Sequence, residues 1–290
     1  MTALGLDAVS AILIIPATAA GLLALLPGYR LTARINVLAA FLTLLAALSL
    51  LAERPAPGPY LLVDDTNIVF IVLGSFVGFT TSVFSATYIA HELETGRLTP
   101  AYLRFYHAMY QMLMFAMNLA LASNSIGLMW VAIELATLTT VLMVGIYRTH
   151  EALEAAWKYF ILGSVGIALA LFGTILVYMA ARPVIGEGAD AMVWTTLIEH
   201  ASGFSPELLN VAFVFLLLGY GTKVGLARKS GADDQELAHE DAERWEAGDR
   251  DDAKHETPAK HGVGFSESSH VGDFLRALGL RDMTDRKEDR

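Results

Sequence analysis

The chain has 290 residues, of which 54% are hydrophobic and 17% are charged, with a formal net charge of −10. Soluble proteins average about 25% charged residues, so this composition is typical of a membrane protein. Cysteine is absent, which excludes disulfides, thiolate zinc sites and cysteine-ligated iron–sulfur clusters in this chain, and the lack of a basic stripe argues against a nucleic-acid partner.

Seven apolar runs are each long enough to cross the roughly 30 Å hydrocarbon core of a bilayer, which takes about 20 helical residues. Strands with open edges are excluded there, because lipid offers no water to satisfy them. The first run lacks the basic residues that precede a signal-peptide core, so we expect a retained span. The sixth contains GSVGIALALFG, whose small residues favour close helix packing. The sequence therefore predicts an all-α transmembrane bundle over residues 1–227, with spans near 4–26, 35–52, 67–90, 106–123, 126–147, 159–181 and 208–227.

The Lys and Arg residues in the connections between these runs predict the orientation of the chain in the membrane. Every second connection carries two Lys or Arg residues, whereas the alternate connections carry one, none and one. Basic connections stay in the cytoplasm. We therefore predict a multi-pass protein of the cell inner (plasma) membrane with its N-terminus outside and its C-terminal segment in the cytoplasm. The richer set holds Arg30, Arg34, Arg97, Arg104, Arg148 and Lys158, and the poorer set holds Arg54 and Arg182.

Residues 228–290 have a different composition, with 17 acidic and 11 basic residues and few large apolar ones. We expect an acidic cytoplasmic tail that is mostly disordered, with a charged helix near 233–246. The stretch VGDFLRALGL at 271–280 fits either a short docking helix or a weakly ordered tail end. No metal site is expected here, because the histidines are irregularly spaced and have no cysteine partners: His239, His255, His261 and His270.

A carboxylate, Glu134, lies inside the apolar run 126–147. Placing an ionisable group at membrane depth costs about 2.5–3.5 kcal/mol on insertion scales, so such groups are rare and usually functional. A buried carboxyl with a cation nearby can be tuned to exchange protons near neutral pH. The alternative is a structural carboxyl that hydrogen-bonds a neighbouring helix.

A lysine, Lys223, lies inside the run 208–227 among glycines, in GYGTKVG. Glycines often mark interrupted helices that line transport sites, and a buried lysine can store or release a proton. The alternative is a lysine near a helix end whose ammonium snorkels to the headgroups. Both spans cross the membrane in the same direction, from outside to inside. Lys223 therefore lies roughly 10 Å farther along its helix axis than Glu134 does along its own. A broken helix, the long lysine side chain or a water could bridge that offset.

Two further residues are candidates for proton transfer. Lys158 begins the sixth run four residues after Glu154, a spacing that favours a Glu–Lys pair, and it fits an interfacial anchor as well as proton uptake. His107 shares one helical face with Tyr110 and Gln111. Histidine titrates near pH 7, but a hydrogen-bonded histidine of the core or an interface is the competing interpretation.

Two segments resemble the antiporter-like, proton-conducting membrane subunits of respiratory complex I, membrane-bound hydrogenases and multi-subunit cation/proton antiporters. They read NSIGLMWVAIELATLTTVLMVGIYRTHEALEAAWKYFILGSVGIALALFGTILVY and LLLGYGTKVGLA. The likeness is closest to the F-type membrane component of hydrogenase-4 and formate hydrogenlyase, and it covers about residues 60–227. ATYIAHELETGRL and FYHAMYQMLMFAMN also fit it.

The resemblance implies roles for particular residues. In that family a glutamate of the fifth span pairs with a lysine in a broken seventh helix, and protonation of the pair is coupled to distant redox chemistry. Glu134 and Lys223 match these positions, and Lys158 matches a charged position at the start of the sixth helix. The redox centres of the family lie in partner subunits. We therefore expect no cofactor in this chain, and as partners other membrane and peripheral subunits of a respiratory or hydrogenase complex and the lipid bilayer.

The resemblance stops at Ala227. The family continues there with a proline, a histidine-containing WLPDAH-like stretch and further helices, whereas this chain reads ARKSGADDQELAHED. The resemblance thus predicts a chain that is C-terminally truncated relative to the family. It would hold an incomplete first inverted repeat without the lysine or histidine of the eighth helix.

The sequence favours a membrane subunit that takes part in proton or cation translocation coupled to electron transfer, in an NADH dehydrogenase-like or hydrogenase-like complex. Such a chain would be a non-redox subunit of an oxidoreductase complex. A structural membrane scaffold without an ion path of its own is one alternative. A stand-alone component of a cation/proton antiporter is another.

Overall fold

The computed structural model describes residues 7–26, 28–52, 54–55, 58, 60–94 and 98–224. These residues are mostly helical, and within them β-pairing is limited to two isolated bridges, Leu61 with Ser123 and Ser125 with Val193. The predicted all-α architecture is confirmed. The predictions for the tail at 228–290 lie outside the described residues. The helices are α1 (Ala8–Leu25), α2 (Tyr29–Ser49), α3 (Asp65–Glu94), α4 (Pro100–Ala122), α5 (Ile126–Val144), α6 (His150–Ile185), α7 (Trp194–His200) and α8 (Pro206–Lys223), with 3₁₀ turns at Gly145–Tyr147, Ala189–Met192 and Ala201–Gly203.

The seven predicted runs correspond to α1 to α6 and α8, while α7 is a short helix in the connection between α6 and α8. Seven is nevertheless an approximate count of spans, because α4 is rich in polar residues and α8 is short. Five helical segments in the described part of the chain are long and apolar enough to cross a bilayer, and Pro206–Gly221 is apolar but shorter. The five are Ala8–Leu25, Arg30–Ser49, Asp65–Ile89, Ile126–Tyr147 and Ala152–Ile185.

Helix α6 is longer than the sequence predicted. It has 36 residues, or about 54 Å of helix, whereas the apolar run covered only 159–181. The additional residues at its start, HEALEAAWK, combine four ionisable side chains with residues of high helix propensity. Thr149 caps this first turn by accepting a hydrogen bond from the N–H of Ala152 (3.2 Å). The helix ends at Gly186, whose φ of +106° is one that few other residues adopt.

Proline and a capping hydroxyl together fix the starts of two helices. Thr99 precedes Pro100 in α4, and Ser205 precedes Pro206 in α8, and each hydroxyl accepts from a backbone N–H of its first turn. Proline is favoured at this first position because it has no N–H to leave unpaired. The start of α8 therefore follows directly from its sequence.

Asn124, between α4 and α5, joins three connections at one end of the bundle. Its side-chain Nδ2 donates to the carbonyl of Gly58 (2.9 Å) and to the hydroxyl of Thr195 (3.2 Å). Its backbone N–H donates to Tyr60 O (2.8 Å), and its carbonyl accepts from Trp194 N (2.6 Å). This end of the bundle is therefore held by hydrogen bonds that do not need water.

Glycines let α6 and α8 approach closely, as the small residues of the sixth run predicted. A Cβ on Gly219 of α8 would lie 2.7 Å from the carbonyl oxygen of Gly166 and 2.7 Å from the Cβ of Ala170. A Cβ on Gly173 would lie 2.8 Å from Leu216 Cγ. Only glycine fits these positions without displacing the neighbouring helix.

The outward faces of the bundle are apolar. Large hydrophobic side chains are exposed along most helices, among them Phe84 (75%), Trp157 (62%) and Phe213 (62%). Water would disfavour so much exposed apolar surface, whereas the bilayer core accepts it. The surface thus agrees with a membrane location.

Replacing Gly219 by alanine tests the close contact between α6 and α8. Because the added methyl group meets the backbone of α6, we expect Gly219→Ala to lower the free energy of unfolding by about 1–3 kcal/mol. The matched control is Gly21→Ala in α1, where a Cβ would meet nothing within 4 Å and should be neutral or stabilising. Denaturant unfolding of the purified chain in lipid nanodiscs measures both, and equal stabilities would contradict the contact.

Candidate functional site

Glu134 lies in the middle of α5, on the face that meets α6. One turn before it, Trp130 Nε1 donates to the carbonyl of Ile167 on α6 (2.8 Å), which fixes the direction of this face. Glu134 is half-buried, and its Oε2 is buried without a hydrogen-bond partner in the part of the chain that the structure describes. Leaving a buried carboxylate oxygen without a hydrogen-bond partner is costly, so hydrogen bonding at Oε2 does not account for this residue.

Lys223 is the last residue of α8 and reaches the same interface. Its Nζ donates to the hydroxyl of Thr137 on α5 (2.7 Å). That hydroxyl in turn donates to the carbonyl of Ile133, one turn back in α5 (2.9 Å). The hydroxyl oxygen of Thr137 thus accepts a hydrogen bond from the ammonium, while the hydroxyl proton is donated to a carbonyl of α5.

The backbone of α6 forms the third wall of this site. A Cβ on Gly163 would lie 3.0 Å from Thr137 Cγ2 and 3.3 Å from Lys223 Nζ. The missing side chain of Gly163 therefore leaves the space that the ammonium and the threonine occupy. We call the group Glu134, Thr137, Gly163 and Lys223 the α5–α8 site.

The structure brings Glu134 and Lys223 to one site, but the direct contact of the ammonium is with Thr137. Thr137 lies three residues after Glu134, on the same face of α5. The opposite charges of Glu134 and Lys223 interact electrostatically across this short separation. The long side chain of Lys223 covers part of the axial offset, because its ammonium reaches Thr137.

A broken helix was one of the three ways to bridge the axial offset, and within the described residues α8 is unbroken at its glycines. Helix α8 continues through Gly219 and Gly221 to Lys223. Gly219 packs directly against α6, because atoms of that helix would fill its Cβ position. Gly225 lies outside the described residues.

Thr137 is the member of the site that the sequence did not single out. A threonine inside a transmembrane helix usually bonds the carbonyl four residues back, as Thr139 and Thr140 also do here. The available signal was its spacing, since residues three and four apart share a helix face. That spacing placed Thr137 beside Glu134, but it did not indicate the approach of Lys223.

Lys158 forms the i,i+4 ion pair that its spacing predicted. Its Nζ lies 2.6 Å from Glu154 Oε1, and the two side chains are 52% and 50% exposed. It stands on α6, five residues before Gly163. The pair therefore lies at the surface of the bundle, near the start of α6. The α5–α8 site, in contrast, lies between helices.

His107 is fully buried in α4, and neither of its ring nitrogens has a hydrogen-bond partner among the described residues. The interpretation of a hydrogen-bonded core histidine is therefore right about burial and wrong about the bond. Tyr110 and Gln111, predicted on the same face, are buried with it. The structure places His107 on a different helix from the three that form the α5–α8 site.

The described residues contain no group of three or more His, Asp or Glu side chains arranged to hold a metal ion. The α5–α8 site itself contains three kinds of proton-binding group. A carboxyl, a hydroxyl and an ammonium can bind, release and pass protons.

Comparisons with known proteins bear on the segment that holds this site. Residues 123–228 match the family described as NADH:quinone oxidoreductase/Mrp antiporter, transmembrane. The hydrogenase-4 component F homolog of Methylacidiphilum infernorum is 59% identical over 217 residues, which are 75% of this chain and 46% of that protein. The chain thus spans less than half of the length of that relative.

Two solved structures have a similar fold. A chain of respiratory complex I from Thermus thermophilus with bound aureothin aligns with a TM-score of 0.56 and 26% identity, over 74% of this chain and 43% of that one. A chain of the membrane-bound sulfane sulfur reductase, an archaeal respiratory membrane complex, aligns with a TM-score of 0.61 and 19% identity, over 73% and 44%. The second likeness concerns the fold alone.

Removing the hydroxyl of Thr137 tests its bond to Lys223. Hydrogen bonds to charged groups contribute about 1.5–3 kcal/mol, so Thr137→Val should lower the free energy of unfolding by that amount. Thr139→Val is the matched control, because Thr139 is equally buried but bonds only carbonyls of its own helix. A double-mutant cycle with Lys223→Met isolates the pair, and additive effects would show that the bond contributes nothing.

Proposed function

Because the chain belongs to the antiporter-like membrane subunits of the NADH:quinone oxidoreductase and Mrp antiporter family, we propose that it takes part in proton translocation coupled to electron transfer. The complex would be of the NADH dehydrogenase or hydrogenase kind, and this chain would be one of its non-redox membrane subunits. One observation carries the proposal. A carboxyl and an ammonium, those of Glu134 and Lys223, lie in one site inside a bundle with an apolar exterior, within the segment that matches the family.

The α5–α8 site offers Lys223 two partners of opposite character. The hydroxyl of Thr137 is neutral, whereas the carboxylate of Glu134 carries a charge only when it is ionised. A hydrogen bond from a charged donor contributes about 1.5–3 kcal/mol. Two unit charges 4 Å apart interact by about 4 kcal/mol at an effective dielectric constant of 20. The ion pair therefore dominates when Glu134 is ionised, and the bond to Thr137 dominates when Glu134 is protonated.

This exchange of partners supplies a mechanism of coupling. Protonation of Glu134 releases Lys223 to Thr137, and loss of that proton draws the ammonium back. A change of charge in a neighbouring subunit would bias the same equilibrium by electrostatic interaction. In this proposal the hydrogen bond from Lys223 to Thr137 belongs to the state with a neutral Glu134.

Lys158 and His107 have secondary roles in this proposal. Lys158 lies near the start of α6, the helix whose Gly163 borders the α5–α8 site, so its charge would set the field there or feed protons to it. His107 would be a further proton-binding group on α4. Neither contacts Lys223 through a hydrogen bond among those found in the described residues.

We also propose that the protein lies in the inner (plasma) membrane with its N-terminus outside, residues 228–290 in the cytoplasm, and other subunits as partners. The arrangement of charge supports this orientation. Arg30, Arg34 and Arg104 lie within the first two turns of α2 and α4, and Arg148 stacks over the ring of Tyr102 at 5.1 Å, at the same end of the bundle. Basic ends of this kind face the cytoplasm.

Neutralising Glu134 tests the proposed function. In membrane vesicles that contain the native complex, we expect Glu134→Gln to reduce proton pumping at least about tenfold, because the group can no longer change charge. Glu199→Gln is the matched control, since Glu199 is exposed on α7, and it should pump normally. Both are compared at equal subunit abundance. Normal pumping by an assembled Glu134→Gln complex would identify the chain as a scaffold.

The role of Lys158 is tested separately. An exposed charge is screened by salt, so we expect Lys158→Gln to lower the pumping rate by less than about tenfold and Lys158→Arg to restore it. Glu154→Gln serves as the control for breaking the ion pair while keeping the lysine charge. An equal loss of pumping in Glu154→Gln would indicate that the pair acts as a structural anchor.

A further inference from the structure

A second polar cluster lies where α2 packs against α4, apart from the α5–α8 site. Asn36 on α2 and His107 and Gln111 on α4 are each 0% exposed. Gln111 Nε2 donates to Asn36 Oδ1 (2.8 Å) and to the carbonyl oxygen of Asn36 (3.0 Å). His107 stands one turn before Gln111 on the same face of α4. The three side chains therefore share one buried interface between two helices.

Four polar atoms of this cluster have no hydrogen-bond partner in the part of the chain that the structure describes. They are Asn36 Nδ2, Gln111 Oε1, and Nδ1 and Nε2 of His107. Rotating an amide end for end does not remove them. A rotated Gln111 would turn its oxygen toward the two oxygens that it now donates to, and a rotated Asn36 would turn its NH₂ toward Gln111 Nε2. Buried polar groups are almost always paired, so four together call for a ligand.

The unpaired atoms identify the chemistry of that ligand. Asn36 Nδ2 is a donor, Gln111 Oε1 is an acceptor, and a neutral imidazole supplies one donor and one acceptor. Hard cations such as Ca²⁺ and Mg²⁺ need several acceptor oxygens, and Gln111 Oε1 is the one oxygen among these four atoms. Water both donates and accepts, and a buried water typically makes about three hydrogen bonds.

We propose that Asn36, His107 and Gln111 form a binding site for buried water between α2 and α4. The inference rests on the balance of donors and acceptors, and it stands whether or not Glu134 and Lys223 translocate protons. The site would place a water molecule beside the imidazole of His107, inside the first half of the bundle.

Radiolytic labelling of the full-length chain in lipid nanodiscs tests the proposal. X-ray pulses convert bound water to hydroxyl radicals, which oxidise the side chains next to it, and mass spectrometry locates the added oxygen. Met114, three residues after Gln111, is the internal control. It is also buried (4% exposed), and its thioether is more reactive than an imidazole. Exposed Tyr60 confirms the dose.

With a local water, His107 gains one oxygen atom while Met114 stays unmodified, and the mass of that oxygen follows an exchange of the solvent to H₂¹⁸O. Asn36→Leu removes a donor and an acceptor, and it should abolish the labelling of His107. If that variant does not fold, Gln111→Met serves the same purpose. An unlabelled His107 at doses that label Tyr60 would overturn the proposal. So would joint labelling of His107 and Met114, or labelling that persists in the folded variant.

Discussion

The close approach of α6 and α8 is the constraint on which the α5–α8 site depends. At Gly219 the two backbones lie too close for even a methyl group between them, and this contact sets the depth and rotation of α8. Lys223 follows four residues later, one turn along the same helix face. Its ammonium then occupies the space that Gly163 leaves open beside Thr137. The position of the charge is thus a consequence of glycine packing rather than of the attraction between Lys223 and Glu134.

Positioning by glycine packing suits the exchange of partners that we propose for Lys223. A direct ion pair in a low-dielectric interior would hold both charges strongly, and breaking it would leave each of them uncompensated. The hydroxyl of Thr137 accepts a hydrogen bond from the ammonium of Lys223 without adding a charge to the site. The unpaired Oε2 of Glu134 is the complementary feature, because a carboxyl without a fixed donor can take up or lose a proton without breaking a structural hydrogen bond.

Hydropathy predicted the helical bundle well, because lipid-facing residues dominate most of the spans. It failed where tertiary contacts decide. The start of α6 was missed because the ionisable residues of HEALEAAWK end the apolar run, although the stretch has high helix propensity. Helix α8 passes unbroken through Gly219 and Gly221, because close packing of Gly219 against α6 compensates for the low helix propensity of glycine. Glu134 and Lys223 could be named from their charge alone. Thr137 could not, because its role depends on which residue of another helix comes to lie opposite it.

Helix α4 explains the polar character of the first half of the bundle. It contacts α1, α2, α3 and α5, so protein rather than lipid covers most of its circumference. His107, Gln111 and Asn118 are accordingly almost completely buried, and α4 does not reach the apolarity of the five helices that face lipid more fully. A central helix can carry polar groups because its neighbours supply partners, as Asn36 does for Gln111 and the carbonyl of Ile12 does for Asn118 (3.4 Å). Low hydropathy in a long helix of such a bundle therefore indicates a central position, and polar side chains that find no partner there are the places to look for bound water.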